Sequence, residues 1–155
     1  MKLSKIIVKT VSTFFYIGYL PLIPGTFGSL AGLCVFYLIK NDPFVYMLST
    51  CFLIVLGFLI SGQAERIYNR KDARCIVIDE VSGMLLSLMF IPYDIRLVIV
   101  GFFLFRILDA LKPYPAGSLE RFKGSIGIMS DDIVAGLYTN LILQVILSST
   151  SFKAS

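Results

Sequence analysis

Charged residues stand at the ends of apolar runs in this sequence, and their types suit the chemistry of metal ions and phosphate groups. Arg106, Asp109 and Lys112 close one apolar run, and Asp131 and Asp132 open the next. Ionisable residues are unfavourable in a chain this apolar, so residues at such junctions are functional candidates. Acids in the first turn of a helix also complement the helix dipole, which is the structural alternative for Asp131 and Asp132.

The carboxylates of the chain predict a metal site. The sequence contains no histidine, so it has no imidazole ligand and no Ser-His-Asp triad. Clustered carboxylates are hard oxygen ligands that suit Mg²⁺ or Mn²⁺ better than zinc, and a cation would relieve their mutual repulsion. We predict Mg²⁺ as the cofactor, held by Asp79, Glu80, Asp131 and Asp132. Together with Asp109, these four are the candidate catalytic acids.

Two basic residues predict a phosphate site beside these acids. Arg106, Asp109 and Lys112 are three positions apart in turn, so they share one face of a helix. Pro113 ends that helix and lets the Lys112 ammonium reach outward. Arg106 and Lys112 are therefore candidate substrate-binding residues. The structural alternative is an ion pair between Arg106 and Asp109 at spacing i,i+3.

A glycine-rich turn, PGTFGS, supplies a further element for binding an anion. Thr26 and Ser29 lie beside Gly25 and Gly28, close to the predicted start of a helix. Unpaired backbone N–H groups and hydroxyls at a helix start form an anion site. Thr26 and Ser29 are therefore candidate substrate-binding residues, although glycine-rich turns are common and the motif is weak when taken alone.

The composition indicates the kind of fold that must position these residues. The 155 residues are 57% hydrophobic and 15% charged, and the mean hydropathy is +0.84. This leaves too little polar surface to cover a soluble globule. No linker, internal repeat or low-complexity tract divides the chain, so we predict one domain over residues 1–155. The predicted fold is all-α, a compact helical bundle that crosses a membrane several times.

The N-terminal residues predict an amphipathic helix at the membrane surface. Lys2, Lys5 and Lys9 alternate with apolar residues, which suits a helix whose basic face meets anionic headgroups. The alternative is a solvated first helix of the bundle. Because no small-x-small cleavage site follows the short apolar part, we expect this segment to be retained.

Five further helices are predicted, and some are short for the roughly 20 residues that cross a bilayer. Tilt, local thinning or partial insertion must therefore be allowed. The polar stretch Ser61–Arg74 is predicted to follow the second of them, and Pro113–Met129 is the predicted loop before the last. The predicted helices are Phe27–Ile39, Phe44–Ile60, Asp79–Ile91, Ile95–Leu111 and Asp131–Leu147.

Alternating these helices across the membrane brings the candidate residues to one side. The glycine-rich turn and both acidic pairs begin helices, and the segment Arg106–Lys112 ends one. Eleven of the fourteen lysines and arginines fall on the same side, which leaves Lys40, Arg96 and Lys153 opposite. The positive-inside rule then predicts that this side is cytoplasmic. Helix capping alone does not require such convergence, so the convergence favours a functional site.

Four stretches of the sequence also resemble a known family, in the same order and at similar spacing over Gly18–Asn140. They read LPLIPGTFGSLAG, IVIDEVSGMLL, FRILDALKPYP and GIMSDDIVAGLYTN. These stretches are similar to the phosphatidylglycerophosphatase A family. The resemblance implies a bacterial inner-membrane, Mg²⁺-dependent enzyme that removes the terminal phosphate of phosphatidylglycerophosphate to give phosphatidylglycerol. Where the family tends to have a Gly-Gly pair before GIM, this chain has Gly124 and Ser125.

The resemblance carries over by position onto the acids and cations named above. We expect metal-assisted hydrolysis of a phosphomonoester by in-line attack of water, and an aspartyl-phosphate intermediate stays open as a second route. The implied partners are a phospholipid substrate and a membrane, with no nucleic acid. The sequence predicts no oligomeric state.

The alternative function is a small membrane cation-binding or transport protein, in which carboxylates line an ion path. Such a path needs acids spread through the depth of the membrane. The inner parts of the apolar runs carry almost no charge here, which favours the phosphatase. A purely structural bundle would leave the one-sided cluster unexplained.

Overall fold

The computed structural model describes residues 4–149, so Lys2 and Lys153 lie outside the described residues. Within that range the chain is all-helical and contains no strand, which confirms the predicted all-α fold. A 3₁₀ turn at Ile17–Tyr19 separates the first two helices. The helices are α1 (Lys5–Ser12), α2 (Pro24–Ile39), α3 (Pro43–Tyr68), α4 (Ile78–Ser87), α5 (Ile95–Leu111), α6 (Ala116–Leu119) and α7 (Ser125–Ser149).

The short helix α4 lies at the centre of the bundle and packs against α2, α3, α5 and α7. Eight of its ten residues are buried. Its contact with α7 is made by backbone, because a Cβ at Gly136 would lie 2.6 Å from the carbonyl oxygen of Gly83. A Cβ at Gly83 would lie 2.8 Å from the carbonyl oxygen of Asp132. Small residues of this kind let membrane helices approach closely.

Capping residues set the ends of α5, whose bounds agree with the predicted helix. The Asp94 carboxylate accepts a hydrogen bond from the backbone N–H of Arg96 at 2.8 Å. At the other end Lys112 adopts a left-handed conformation with φ of 47°. Pro113 follows, and proline cannot continue a helix. Strong local signals at both ends therefore fix this helix.

The predicted bounds of α2 and α3 are wrong at one end each. α2 begins at Pro24 rather than Phe27, because proline is favourable in the first position of a helix. α3 continues to Tyr68 through much of the predicted polar loop. Its last turns contain Gln63, Glu65 and Arg66, which are good helix formers despite their polarity.

The predicted start of α7 is also wrong, because the helix begins at Ser125 rather than Asp131. Asp131 and Asp132 therefore lie in its second turn, beyond the first turn in which an acid complements the helix dipole. This position excludes the capping alternative for the pair. The predicted loop before α7 contains the short helix α6, and α4 ends at Ser87 before its predicted end.

Two helices, α3 and α7, are long and apolar enough to cross a membrane. Only 28% of the apolar window in each is buried inside the protein. α3 exposes a continuous apolar stripe at helical spacing, formed by Phe44, Leu48, Phe52, Val55 and Leu59. Apolar surface of this extent requires a cover other than water, which indicates a membrane-associated protein.

Helix α1 is amphipathic and packs against α3. Val8 and Ser12 face the bundle, whereas Lys5, Ile6 and Ile7 are exposed. The predicted amphipathic helix is therefore present over its described part. Contact of its exposed face with lipid headgroups stays a prediction.

Candidate active site

A cavity of about 480 Å³ opens at the end of the bundle where α2, α4 and α7 begin and α5 ends. The structure brings all four sequence motifs to its wall. The predicted site residues that line it are Thr26, Asp79, Glu80, Arg106, Asp109, Lys112, Asp131 and Asp132. Ser29 is fully buried and is not among the lining residues.

Three acids form the most compact group in the cavity. Asp79, Glu80 and Asp132 each offer one carboxylate oxygen, and these oxygens lie within 4.8 Å of one another. Asp79 and Asp132 are each only 4% exposed. One oxygen of Glu80 and one of Asp132 are buried without a hydrogen-bond partner among residues 4–149. Buried, unpaired carboxylate oxygens are unfavourable unless a cation or proton compensates them, so these three residues could hold a metal ion.

The starts of α2 and α4 position Glu80. It lies in the first turn of α4, where its backbone N–H donates to the Asp79 carboxylate at 3.0 Å. A Cβ at Gly25 would lie 2.5 Å from a carboxylate oxygen of Glu80, so the glycine leaves room for that side chain. The first helical hydrogen bond of α2 runs from Phe27 to Ile23. Gly25 and Thr26, whose N–H groups precede this bond, line the cavity.

Asp131 has a different environment from Asp132, because consecutive helical residues point about 100° apart. The Lys112 ammonium donates to the Asp131 carboxylate at 2.8 Å and pairs with Glu120 at the same distance. Burial lowers the pKa of Lys112, but the two ion pairs outweigh burial and hold that pKa above its ordinary value. Lys112 therefore presents a permanent positive charge at the wall, held in place by two carboxylates.

Arg106 is held by two partners. Its Nη1 donates to the Asp109 carboxylate at 2.8 Å and to the Ser29 hydroxyl at 3.4 Å. Ser29 in turn donates to the carbonyl oxygen of Gly25 at 3.1 Å. The ion pair considered as the structural alternative is thus present, and Ser29 orients Arg106 from behind the wall. A guanidinium has five N–H donors, so Arg106 retains donors for an anion in the cavity.

Sequence reasoning missed three residues of this region. Asp72 and Arg74 line the cavity from the loop between α3 and α4, and Glu120 is the second partner of Lys112. Asp72 and Arg74 lie in the loop that leads into the acidic pair of α4. Their proximity in sequence to that acidic pair could have indicated a role at the site.

The cavity is strongly acidic. Its lining residues include six carboxylates and three cations, which gives a formal charge of −3. A phosphate group also carries negative charge, so it would be repelled by the bare cavity. The arrangement suits an anion only when a cation is bound with it.

Comparison with known proteins agrees with the sequence motifs. A family model described as Phosphatidylglycerophosphatase A matches residues 10–147. The chain is 40% identical to Phosphatidylglycerophosphatase A of Escherichia coli (strain K12), over 83% of this chain and 77% of the relative. It is 32% identical to the protein of that name from Haemophilus influenzae, over 79% and 78% of the two chains.

A protein of Bacteroides thetaiotaomicron, provisionally named a phosphatidylinositol-3-phosphatase, is 32% identical over 94% of this chain and 96% of its own. No solved structure shows a significant match to the chain. The family model covers nearly the whole length, including every residue of the cavity wall named above. The chain therefore belongs to the phosphatidylglycerophosphatase A family.

Proposed function

We propose that this protein hydrolyses the terminal phosphomonoester of phosphatidylglycerophosphate, releases phosphatidylglycerol and uses Mg²⁺ as its cofactor. The observation that carries the proposal is the grouping of Asp79, Glu80 and Asp132 within 4.8 Å, in the same cavity as Arg106. Membership of the family supports a phosphatase of phospholipid synthesis, and the residues of the cavity support the chemistry.

The unpaired oxygens and the acidic lining support a divalent cation. Asp79, Glu80 and Asp132 would hold it. Asp131 gives one oxygen to Lys112 and keeps a buried second oxygen, without a partner among the described residues, that could join the site. When bound, Mg²⁺ would neutralise phosphate charge and make a water molecule more acidic.

The cationic residues would bind the phosphate. Phosphoryl transfer spreads negative charge over the equatorial oxygens, so fixed donors aimed at those oxygens stabilise the transition state. Asp109 and Ser29 fix the guanidinium of Arg106 before substrate arrives. The N–H groups of Gly25 and Thr26, at the start of α2, would add donors close to Arg106, because a Cβ at Gly25 would lie 3.3 Å from the Nη2 of Arg106.

The reaction requires two proton transfers, one from the attacking water and one to the glycerol oxygen that leaves. A water molecule attacks phosphorus opposite the glycerol oxygen, and a carboxylate of the cluster accepts its proton. The bond from phosphorus to the glycerol oxygen breaks, and that oxygen takes up a proton as phosphatidylglycerol leaves. Inorganic phosphate is the second product.

We further propose that the bundle crosses the bacterial inner membrane several times, with the cavity on the cytoplasmic side. α3 and α7 are long enough to span. α2 and α5 have 16 and 17 residues, about 24–26 Å at 1.5 Å per residue. They would cross a core of about 30 Å only with local thinning or with their ends at the interface.

The alternative of a cation path finds no support in the described part of the bundle between the cavity and the opposite, far end. Three buried hydroxyls there bond to carbonyls of their own helices. Ser82 donates to Ile78, Ser87 donates to Gly83, and Thr139 donates to Ala135, at 2.7–2.8 Å. Residues 81–87 of α4 and 133–149 of α7, which run from the cavity toward the far end, contain no carboxylate, whereas a cation path needs acids spread through the depth of the membrane.

The testing experiment measures phosphate release by the purified protein from phosphatidylglycerophosphate in mixed micelles, with Mg²⁺ or with a chelator. Phosphatidic acid and phosphatidylinositol 3-phosphate are the comparison substrates. We expect Mg²⁺-dependent release, fastest from phosphatidylglycerophosphate. Absence of release from all three lipids would overturn the enzyme assignment, and full activity in chelator would overturn the cofactor. A clear preference for phosphatidylinositol 3-phosphate would overturn the substrate.

A further inference from the structure

The segment before α2 gives the cavity an apolar rim. Leu22, Ile23 and Pro24 line the cavity together with the charged residues. Leu22 is 91% exposed and Ile23 is 55% exposed. Tyr19 and Leu20, just before them, are also exposed. We refer to Tyr19–Pro24 as the apolar lip.

The backbone of the lip holds Leu22 outward in an unfavourable conformation. Its φ of 80° lies in the left-handed region, which side chains other than glycine rarely adopt. The N–H of Ile23 donates to the carbonyl oxygen of Pro21 at 3.2 Å, which closes a three-residue γ-turn around Leu22. The γ-turn with positive φ is rare and strained. Strain of this kind persists where the surrounding structure or the function demands it.

The base of the lip is fixed to the bundle while its tip is open. The hydroxyl of Tyr19 lies 2.7 Å from the hydroxyl of Tyr68, at the end of α3. Gly18 packs directly on the backbone carbonyl of Cys75. The exposed position of Leu22 is therefore set by a rigid support and is a property of the fold.

The wall of the same cavity also carries cations. Arg74, Arg106 and Lys112 line it, and the carboxylates lie with them in the interior. A cavity that combines an apolar rim with three cations and a carboxylate cluster proposed to hold a metal ion matches a molecule that combines apolar chains with phosphate groups. A small water-soluble phosphate has no apolar part that could contact an exposed leucine at the mouth of its site.

We propose, building on the proposed function, that the apolar lip binds the diacylglycerol part of the lipid substrate. Contact between Leu22 and the acyl-glycerol region would hold the lipid while its phosphate reaches the carboxylate cluster. The lip would thereby make the enzyme prefer a long-chain lipid to a soluble phosphomonoester that carries the same headgroup.

The kinetic test compares long-chain phosphatidylglycerophosphate in mixed micelles with a dihexanoyl form below its aggregation concentration. Leu22→Asn removes the apolar side chain, keeps its size and tolerates positive φ. We expect it to lower kcat/KM about tenfold on the long-chain lipid, mainly through KM, and to lower kcat/KM clearly less on the short-chain form, whose chains offer less apolar surface. Leu22→Met should behave as wild type on both. Phe90→Asn is the matched control, because Phe90 is 68% exposed with φ of 60° at the opposite end of the bundle.

A second readout is independent of hydrolysis. The chain contains no tryptophan, so Leu22→Trp and Phe90→Trp each introduce a single tryptophan, whose fluorescence can be followed apart from that of the tyrosines. We expect brominated phosphatidylglycerol to quench Leu22→Trp more strongly than brominated phosphatidylcholine does, and the two lipids to quench Phe90→Trp equally. If the two lipids quenched Leu22→Trp equally, as we expect for Phe90→Trp, the proposed role of the lip would be overturned, whether or not the protein hydrolyses the lipid. Equal losses by Leu22→Asn on the two substrates, or no loss on either, would also overturn it.

Discussion

Both ends of the bundle carry acids at or near helix starts. At the far end, away from the cavity, these acids cap their own helices. Asp42 accepts hydrogen bonds from the N–H groups of Phe44 and Val45 at 3.0 and 3.1 Å. Asp94 accepts from the N–H of Arg96 and pairs with its guanidinium at 2.9 Å. These acids are caps, and each has a hydrogen-bond partner in the same segment.

The acids at the cavity end are not used in this way. Glu80, Asp131 and Asp132 each keep one buried carboxylate oxygen that has no hydrogen-bond partner within the described part of the chain. The difference shows that burial and hydrogen-bond partners, rather than residue type or proximity to a helix start, separate acids that cap a helix from acids whose oxygens are available to a ligand.

The largest expected effect separates these two groups of acids. On the proposed function, Asp79→Asn, Glu80→Gln and Asp132→Asn should each lower kcat at least about a hundredfold, because each removes a charge that would hold the cation. Without Mg²⁺ the free energy of unfolding should stay equal or rise, because one source of repulsion is gone. The wild type should gain about 2.7 kcal/mol from Mg²⁺ at a hundred times its Kd, and the variants should not.

Phosphate release and thermal unfolding over a Mg²⁺ titration measure both quantities. Asp42→Asn and Asp94→Asn at the far end are the matched controls. If all three cavity variants kept near-native turnover at limiting Mg²⁺, the assignment of metal ligands would fail.

The next effect concerns Arg106, which is both a partner of Asp109 and a candidate phosphate ligand. If Arg106 binds the phosphate, Arg106→Ala should lower kcat/KM about ten- to a hundredfold, while the free energy of unfolding changes by about 1 kcal/mol. As a structural pair only, Arg106→Ala and Asp109→Ala would destabilise the fold similarly and non-additively. A double-mutant cycle scored for both stability and rate distinguishes the two roles.

A smaller loss of about tenfold is expected for Lys112→Arg, because the planar guanidinium does not reproduce a compact ammonium between Asp131 and Glu120. Lys112→Ala should in addition lower the free energy of unfolding by about 1–3 kcal/mol, because it leaves the Asp131 carboxylate buried and unpaired. Lys71→Arg, at an exposed position outside the cavity lining, is the control for the charge-preserving change. Near wild-type rates for both Lys112 variants would show that Lys112 only anchors the chain at the interface.

The proposed orientation predicts a difference in accessibility between the two ends. In a variant with Cys34, Cys51 and Cys75 changed to alanine, Lys123→Cys should react with an impermeant thiol reagent only after cells are lysed. Asn41→Cys, which is also exposed, should react in intact cells. Labelling of both positions from outside, or the reverse pattern, would overturn the assigned side.

The smallest expected effect is at the far-end caps. Asp42→Ala and Asp94→Ala should each lower the free energy of unfolding by about 1 kcal/mol and leave phosphate release unchanged. Chemical denaturation measures the first and the lipid assay the second. A large loss of activity in either variant would mean that the far end takes part in the function.

The helices and their direction were predictable because strong signals mark them. α5 has an acid before its first turn and a proline after its last, and its predicted bounds agree with the structure. The start of α7 was not predictable in the same way, because Gly124 and Gly127 are typical of a loop. Gly127 lies in the first turn of α7, where it packs against the carbonyl of Phe122. That contact leaves no space for a side chain, so the position requires glycine although it is helical.

Seven of the nine charged residues that line the cavity were predictable from the sequence, but their arrangement was not. Asp131 and Asp132 are adjacent in sequence, yet one pairs with Lys112 and the other joins Asp79. The angle between successive helical residues could have separated them, but which side each faces depends on the packing of α7 against α4. Ser29 illustrates the same limit, because burial turns a predicted substrate contact into a support for Arg106.

The backbone contact between Gly83 and Gly136 lies one helical turn from Asp79 and Asp132. The backbone segments that carry these two carboxylates therefore cannot move apart unless α4 separates from α7. Mg²⁺ binds oxygen at about 2.0–2.1 Å, whereas Ca²⁺ needs about 2.3–2.6 Å and more ligands. A site whose width is fixed by two touching helices resists the expansion that the larger ion requires. On the proposed function, we therefore expect ion selectivity to depend on two glycines that carry no ligand atom.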